Sequence, residues 1–175
     1  GRWELDLGRL RELVTPHTKM IVINFPHNPT GFLPTQAELN AVVEIAQSCG
    51  AWLFSDEMYR GLEGLGRDCL PSVADLYARS VVLSGLSKVY GLPGLRSGWL
   101  VVQDSAVREA LLNWKYYTTI CPPAPSEWLA LAALAAGETI AQRNRERISK
   151  NVLIAGPFFE RWSTLFNWLS IMAPG

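Results

Sequence analysis

Two things this sequence lacks are clustered metal ligands and an excess of charge of either sign. Sixteen Lys and Arg balance sixteen Asp and Glu, so the formal net charge is zero. Nucleic-acid-binding domains carry a basic excess, and the composition speaks against that class. The two histidines, His17 and His27, and the three cysteines, Cys49, Cys69 and Cys121, are widely spaced and form no CxxC pair. That spacing argues against a zinc site and against a disulfide framework, so the cysteines read as reduced thiols. Long apolar runs are missing too. The richest, residues 128–136, falls far short of a bilayer span, and the opening GRWELDLGRL lacks the apolar core of a secretory leader. These absences point to a cytoplasmic protein with neither nucleic acid nor membrane as a partner.

What is present is a buried-sheet composition. Nearly half of the 175 residues are hydrophobic, enough for one core of ordinary size. Residues 20–25, MIVINF, form an apolar run that stops at Pro26, which predicts a strand. PHNPTGFLP at 26–34 predicts a loop. Thr35 and Glu38 make a capping box, Leu39, Val42, Val43 and Ala46 recur at helical spacing, and Gly50 supplies a stop, so a helix is predicted between them. AWLFS at 51–55, SVVLS at 80–84 and GWLVV at 98–102 predict three further strands. Continuous apolar strands joined by helical crossovers imply an α/β fold, a mostly parallel sheet with helices on both faces. Beyond residue 103 the pattern becomes helical: one helix from Asp104 or Ser105 to about Thr118, a break at CPPAP, a second from Ser126 or Glu127 to near Gly137, and a long amphipathic one over about 138–162. FNWLSIMAPG at 166–175 reads as the start of a new strand with nothing after it to cover it, which has the look of a truncation.

In an open parallel sheet, ligands sit outside the carboxyl ends of the strands. Polar groups fall there: Asn28 after the first strand, Asp56, Glu57 and Tyr59 after the second, Ser84, Ser87 and Lys88 after the third. Taken singly each has a bland reading. Asn28 before Pro29 suits a turn, Asp56 suits a cap, and Lys88 or Arg96 suits a solvated charge. Together they describe a task. An amine can form a Schiff base with an aldehyde, and pyridoxal phosphate is the aldehyde cofactor that uses this. It needs a carboxylate at its ring nitrogen, donors at its phenolic oxygen, and a cation and hydroxyls at its phosphate.

Three ordered segments carry a family resemblance across nearly the whole chain. NFPHNPTG, SDEMYRGL and GLSKVYGLPGLRSGW resemble, in order, the NPxNPTG, DExY and lysine-signature segments of the class I/II aminotransferases, the fold-type I pyridoxal-phosphate enzymes. The resemblance implies that Lys88 forms the Schiff base and carries the proton, and that Asp56 pairs with the pyridine nitrogen. It implies that Tyr59 and Asn28 bond the phenolic oxygen, and that Arg96 and Ser87 hold the phosphate. It further implies an amino acid and a 2-oxo acid as substrates and a homodimer in the full-length protein. Residues 1–164 would be the C-terminal portion of a large cofactor-binding domain with its connecting helix, and residues 165–175 the first residues of a small domain. The family's glycine-rich phosphate loop would lie before residue 1 and its substrate-carboxylate arginine after the last residue, so the 175 residues alone are expected to be inactive. Two positions depart from the pattern: Gly85 stands where many relatives have a phosphate-binding serine, and Ser97 replaces an apolar residue after the arginine.

The same residues bear on other readings. A fold-type I decarboxylase, β-lyase or cyclising synthase would share these motifs, because they serve the cofactor and not the reaction. An inactive fragment kept as a binding or structural module is a further alternative. A serine hydrolase fails, since Gly85 and Val89 occupy positions that S-x-x-K and G-x-S-x-G require near Ser87. A dinucleotide-binding fingerprint fails, since GLEGLG at 61–66 has the wrong spacing and no strand leading into it.

Overall fold

A computed structural model describes residues 3–64 and 68–169. Helix α1 (Leu7–Leu13) leads into strand β1 (Met20–Asn24), helix α2 (Gln36–Cys49), strand β2 (Trp52–Asp56), the short helix α3 (Val73–Leu76) and strand β3 (Ser80–Gly85). A 3-10 turn at Pro93–Leu95 precedes strand β4 (Gly98–Val101), and helices α4 (Ser105–Thr118), α5 (Ala124–Ala135) and α6 (Gly137–Arg161) follow. The strands form one sheet in the order β1-β2-β3-β4. The first two pairings are parallel and the β3–β4 pairing is antiparallel, so the sheet is mixed and mostly parallel.

The capping box forms as its spacing predicts. Thr35 Oγ1 accepts from the Glu38 amide while the Glu38 carboxylate accepts from the Thr35 amide, satisfying two helix-end donors at once. At the other end Gly50 takes the left-handed conformation, φ 66°, which a glycine adopts without a Cβ penalty. Between them Leu39, Val42, Val43, Ile45 and Ala46 are buried. They meet Ile21, Ile23, Leu53 and Val82 on one face of the sheet, with Leu7 and Leu10 of α1 and Val73 and Ala74 of α3 packed on the same core. Fully burying an aliphatic side chain of this size contributes about 1.5–3 kcal/mol, so this layer anchors the strand ends. Met20 and Val22, on the other face of β1, are exposed.

Helices α1 and α3 have no counterpart in the sequence reading. Both are short, and each depends on a side-chain cap: Asp6 accepts from the Arg9 amide, and Ser72 accepts from the Ala74 amide. Helix α5 starts at Ala124, two residues before the expected Ser126, because Pro125 is tolerated in the first turn, where its missing N–H removes no helix bond. Of the strand expected over 166–175, residues 166–169 have no regular structure, and the remainder lies outside the described residues. All three cysteines are free thiols. Among the described residues, no group of His, Cys, Asp and Glu could hold a metal, and no helix is long and apolar enough to cross a membrane.

Candidate active site

The parallel register decides which polar groups share an edge. Asn24 is the partner of Asp56, and Asp56 the partner of Leu83. The carboxyl ends of β1, β2 and β3 are therefore level, and the three loops that follow leave from the same side. Asn24 fastens two of them. Its Nδ2 donates to the Asp56 carbonyl (3.0 Å), and its Oδ1 accepts from the Asn28 amide (3.0 Å). Asn24 was not singled out in the sequence reading. The available signal was an amide as the last residue of an otherwise apolar strand, where a hydrophobe would be expected.

Asp56 ends β2 half-buried, on the sheet face opposite the main core. Its Oδ1 accepts from the Met58 amide (3.0 Å), and among the described residues Oδ2 has no hydrogen-bond partner. Glu57, the next residue, is buried and points to different partners. Its Oε1 accepts from Ser55 Oγ (3.2 Å), Ser72 Oγ (3.2 Å) and the Val73 amide (2.9 Å). Its amide donates to the Leu83 carbonyl (2.9 Å), the last link between β2 and β3. The turn carrying Asp56 and Tyr59 is thus held from beneath by a buried carboxylate.

Lys88 stands in the loop between β3 and β4, exposed, with its Nζ 5.6 Å from the centre of the Tyr59 ring. The loop is closed at its base by Leu86 N–H to the Ser97 carbonyl (3.1 Å) and Leu92 N–H to the Leu86 carbonyl (2.9 Å). Gly91, φ 66°, donates its amide to the Lys88 carbonyl (3.0 Å), so Lys88 sits at the head of a tight turn. Tyr59 and Asn28 both line a cavity of about 280 Å³ whose wall also includes His27, Glu63 and Ile148.

The structure thus brings Lys88 to Tyr59 and sets Tyr59 and Asn28 on one cavity wall, with Asp56 at the end of the strand that leads into Tyr59. Two expected residues stand apart from that contact. Arg96, in the left-handed conformation (φ 52°), is exposed and donates from Nη1 to the Pro93 carbonyl (2.8 Å). Ser87 is half-buried beside Lys88. The departure at Gly85 has a steric cause. A Cβ there would lie 2.9 Å from Gly98 Cα and 3.0 Å from the Ser97 carbonyl oxygen. Antiparallel β4 crosses so close to Gly85 that a side chain there would meet backbone. Ser97 donates its hydroxyl to the Leu95 carbonyl (3.3 Å).

The donor set fits pyridoxal phosphate. A primary amine for the aldehyde and a carboxylate for the ring nitrogen leave neighbouring strands. A phenol and an amide share one cavity wall for the phenolic oxygen. The paired glycines Gly85 and Gly98 let backbone approach where side chains would intrude.

Comparison with known proteins follows the same line. The sequence pattern of the family described as aminotransferase class I and II matches residues 1–152. The chain is similar to the putative aminotransferase YugH of Bacillus subtilis, 35% identical over 128 residues, covering 71% of this chain and 32% of that protein. It is similar to the aspartate aminotransferase of Geobacillus stearothermophilus, 29% identical over 158 residues, covering 88% and 40%. Among solved structures, a PLP-dependent aminotransferase from Streptococcus suis superposes with a TM-score of 0.83 at 37% identity, over 91% of this chain and 41% of that one. The chain therefore spans about a third to two fifths of the length of the relatives it matches, and its sheet is part of a fold-type I large domain. With the three motif loops gathered at one sheet edge and the family pattern running through all of them, the chain belongs to the class I and II aminotransferases.

Proposed function

We propose that these residues form the cofactor-binding part of a pyridoxal-phosphate-dependent aminotransferase, a cytoplasmic homodimer in full length that moves an amino group between an amino acid and a 2-oxo acid. The observation that carries this reading is the Lys88 amine 5.6 Å from the Tyr59 ring, at the level strand end that also presents Asp56. Residues 1–164 would hold the cofactor, and residues 165–175 would begin the small domain.

When bound, the cofactor supplies an electron sink for charge developing at the substrate α-carbon. Lys88 Nζ would provide the covalent attachment point and, once displaced by substrate, take and return the α-proton. Asp56 Oδ2 would accept from the ring N–H and hold the proton there. Asn24, bonded to the Asp56 carbonyl, keeps that strand end in register. Tyr59 and Asn28 would orient the ring through its phenolic oxygen. Arg96 gives one of its five N–H donors to the Pro93 carbonyl, and those remaining would bind phosphate as a pair, with Ser87 supplying a hydroxyl because Gly85 has none.

Borohydride reduction in the presence of pyridoxal phosphate, followed by peptide mass mapping, tests the assignment. The chain has four lysines, Lys19, Lys88, Lys115 and Lys150, which serve as internal controls. Label is expected at Lys88 in excess over the others and is lost in Lys88→Ala. Equal labelling of all four would refute the proposal. Incubating the full-length protein with an amino acid and a 2-oxo acid then separates amino transfer from release of ammonia, carbon dioxide or a cyclic product.

A further inference from the structure

The loop after Tyr59 and the loop after Lys88 meet away from the strand ends, and helix α6 lies against the meeting point. Gly61, φ 96°, packs on Val89: a Cβ at Gly61 would lie 3.4 Å from Val89 Cγ1. Both peptides are then held by consecutive residues of α6. Asn144 Nδ2 donates to the Val89 carbonyl (2.8 Å), and Arg145 Nη1 donates to the Gly61 carbonyl (3.0 Å). The Gly61 amide is taken in turn by Glu63 Oε2 (2.8 Å). Around these two bonds the inner face of α6 is closely seated. Ala141 is buried, a Cβ at Gly137 would lie 3.3 Å from Tyr90, and Ile148 lines the cavity shared by Asn28 and Tyr59. Positions 137, 141, 144, 145 and 148 follow the 3.6-residue period, so one stripe of the helix makes all these contacts.

The two receiving carbonyls are one residue beyond Lys88 and two beyond Tyr59. We propose that Asn144 and Arg145 are positioning residues: by holding the Val89 and Gly61 carbonyls on one rigid helix they set the separation between the Lys88 amine and the Tyr59 ring. The inference rests on the reading of Lys88 as the cofactor lysine. It adds that the geometry of the site is fixed from outside the sheet, by residues that touch neither cofactor nor substrate. Asn144 acts as a donor at this place, because the group it meets is a carbonyl. Arg145 acts likewise, with its second nitrogen paired to the carboxylate of Glu138.

Asn144→Asp tests this with almost no change of shape. It replaces the donor by an acceptor, so oxygen faces the Val89 oxygen. The measurement is pyridoxal-phosphate attachment by borohydride trapping, titrated in cofactor concentration and in pH and mapped to each lysine, with urea unfolding run in parallel. The lost hydrogen bond, turned to repulsion, predicts about tenfold or more weaker attachment at Lys88, with a displaced pH midpoint and unchanged labelling of Lys19, Lys115 and Lys150. Asn144→Gln, which keeps the amide donor, should recover part of the loss, and Arg145→Gln should weaken attachment in the same direction. If Lys88 is preferred in the wild-type chain but Asn144→Asp and Arg145→Gln label it with unaltered affinity and midpoint, this inference falls alone. If the wild-type chain shows no preference for Lys88, the functional reading falls and takes the inference with it.

Discussion

Removing the carboxylate of Glu57 should be among the most damaging single changes to this domain, although Glu57 is charged and its neighbour Asp56 has the stronger claim to chemistry. Glu57 is 6% exposed. Its Oε1 collects three donors, Ser55 Oγ, Ser72 Oγ and the Val73 amide. In Glu57→Ala the Ser55 hydroxyl and the Val73 amide, both buried, lose their acceptor. The Ser72 hydroxyl is partly exposed and can turn to water. Each stranded buried donor costs about 1–3 kcal/mol, so two of them predict a loss of about 3 kcal/mol. The ion pair to Arg60 adds little, at 3.7 Å from a side chain that is 39% exposed. Glu57→Gln keeps a carbonyl oxygen for the donors and loses only the charge-assisted part, about 1–2 kcal/mol. Equilibrium urea unfolding gives both values from the shift in midpoint at unchanged slope. A Glu57→Ala loss below about 1 kcal/mol, or equal losses in the two variants, would show that this carboxylate does not hold the turn.

Gly85→Ala places a Cβ against two backbone groups, Gly98 Cα at 2.9 Å and the Ser97 oxygen at 3.0 Å. A loss of about 1–3 kcal/mol is expected, read as a fall in Tm of about 2–12 °C; an unchanged Tm would mean that β4 moves freely. Cys69 keeps an exposed edge, but burial of the rest of the thiol, followed by the Glu63 carboxylate beside it, raises its pKa above the ordinary thiol value. Both effects disfavour the thiolate. The pH midpoint for alkylation at Cys69 should therefore lie above that of the unfolded chain, and Glu63→Gln should lower it. The linkage has a definite sign: stability from this group is complete below the unfolded thiol pKa and is lost as pH rises through the folded one. A Cys69 midpoint at or below the unfolded value would refute the assignment.

The elements legible in the sequence are those specified by local rules. The α2 helix is bounded by a capping box and a glycine that nothing else in the fold needs to explain, and its observed span, Gln36–Cys49, lies between the two signals. The four strands fall within a residue or so of the apolar runs that announce them. Helices α1 and α3 were illegible because their stability is tertiary. Seven and four residues are too few for helix propensity to act on, and both persist because they pack on the core formed by α2 and the sheet. The antiparallel entry of β4 was equally hidden. Its run GWLVV looks like the others, and direction is set by a connecting loop that folds back on itself through Leu86 and Ser97.

At the site, the motifs carried residue identity but not direction. Asp56 and Glu57 are adjacent carboxylates; the family resemblance favours Asp56, and the sheet supplies the physical reason. The sheet separates them by parity. Ser55 shares a face with Ile23 and Val82, so it looks into the core. Asp56 shares the opposite face with Asn24 and Leu83, and it keeps one oxygen without a partner among the described residues. Glu57, just past the strand, turns back toward Ser55 and the cap of α3. A buried carboxylate with three donors on one oxygen and Arg60 facing the other is an anchor, whereas a half-buried one with an unclaimed oxygen at an open strand end can accept a ligand proton. The same reasoning separates the two cations. Arg96 donates to its own turn, whereas the Lys88 amine faces an aromatic ring and, among the described residues, forms no ion pair. What distinguishes Lys88 from a solvated surface charge is the Tyr59 ring 5.6 Å from its amine, at the end of the sheet where Asp56 also stands.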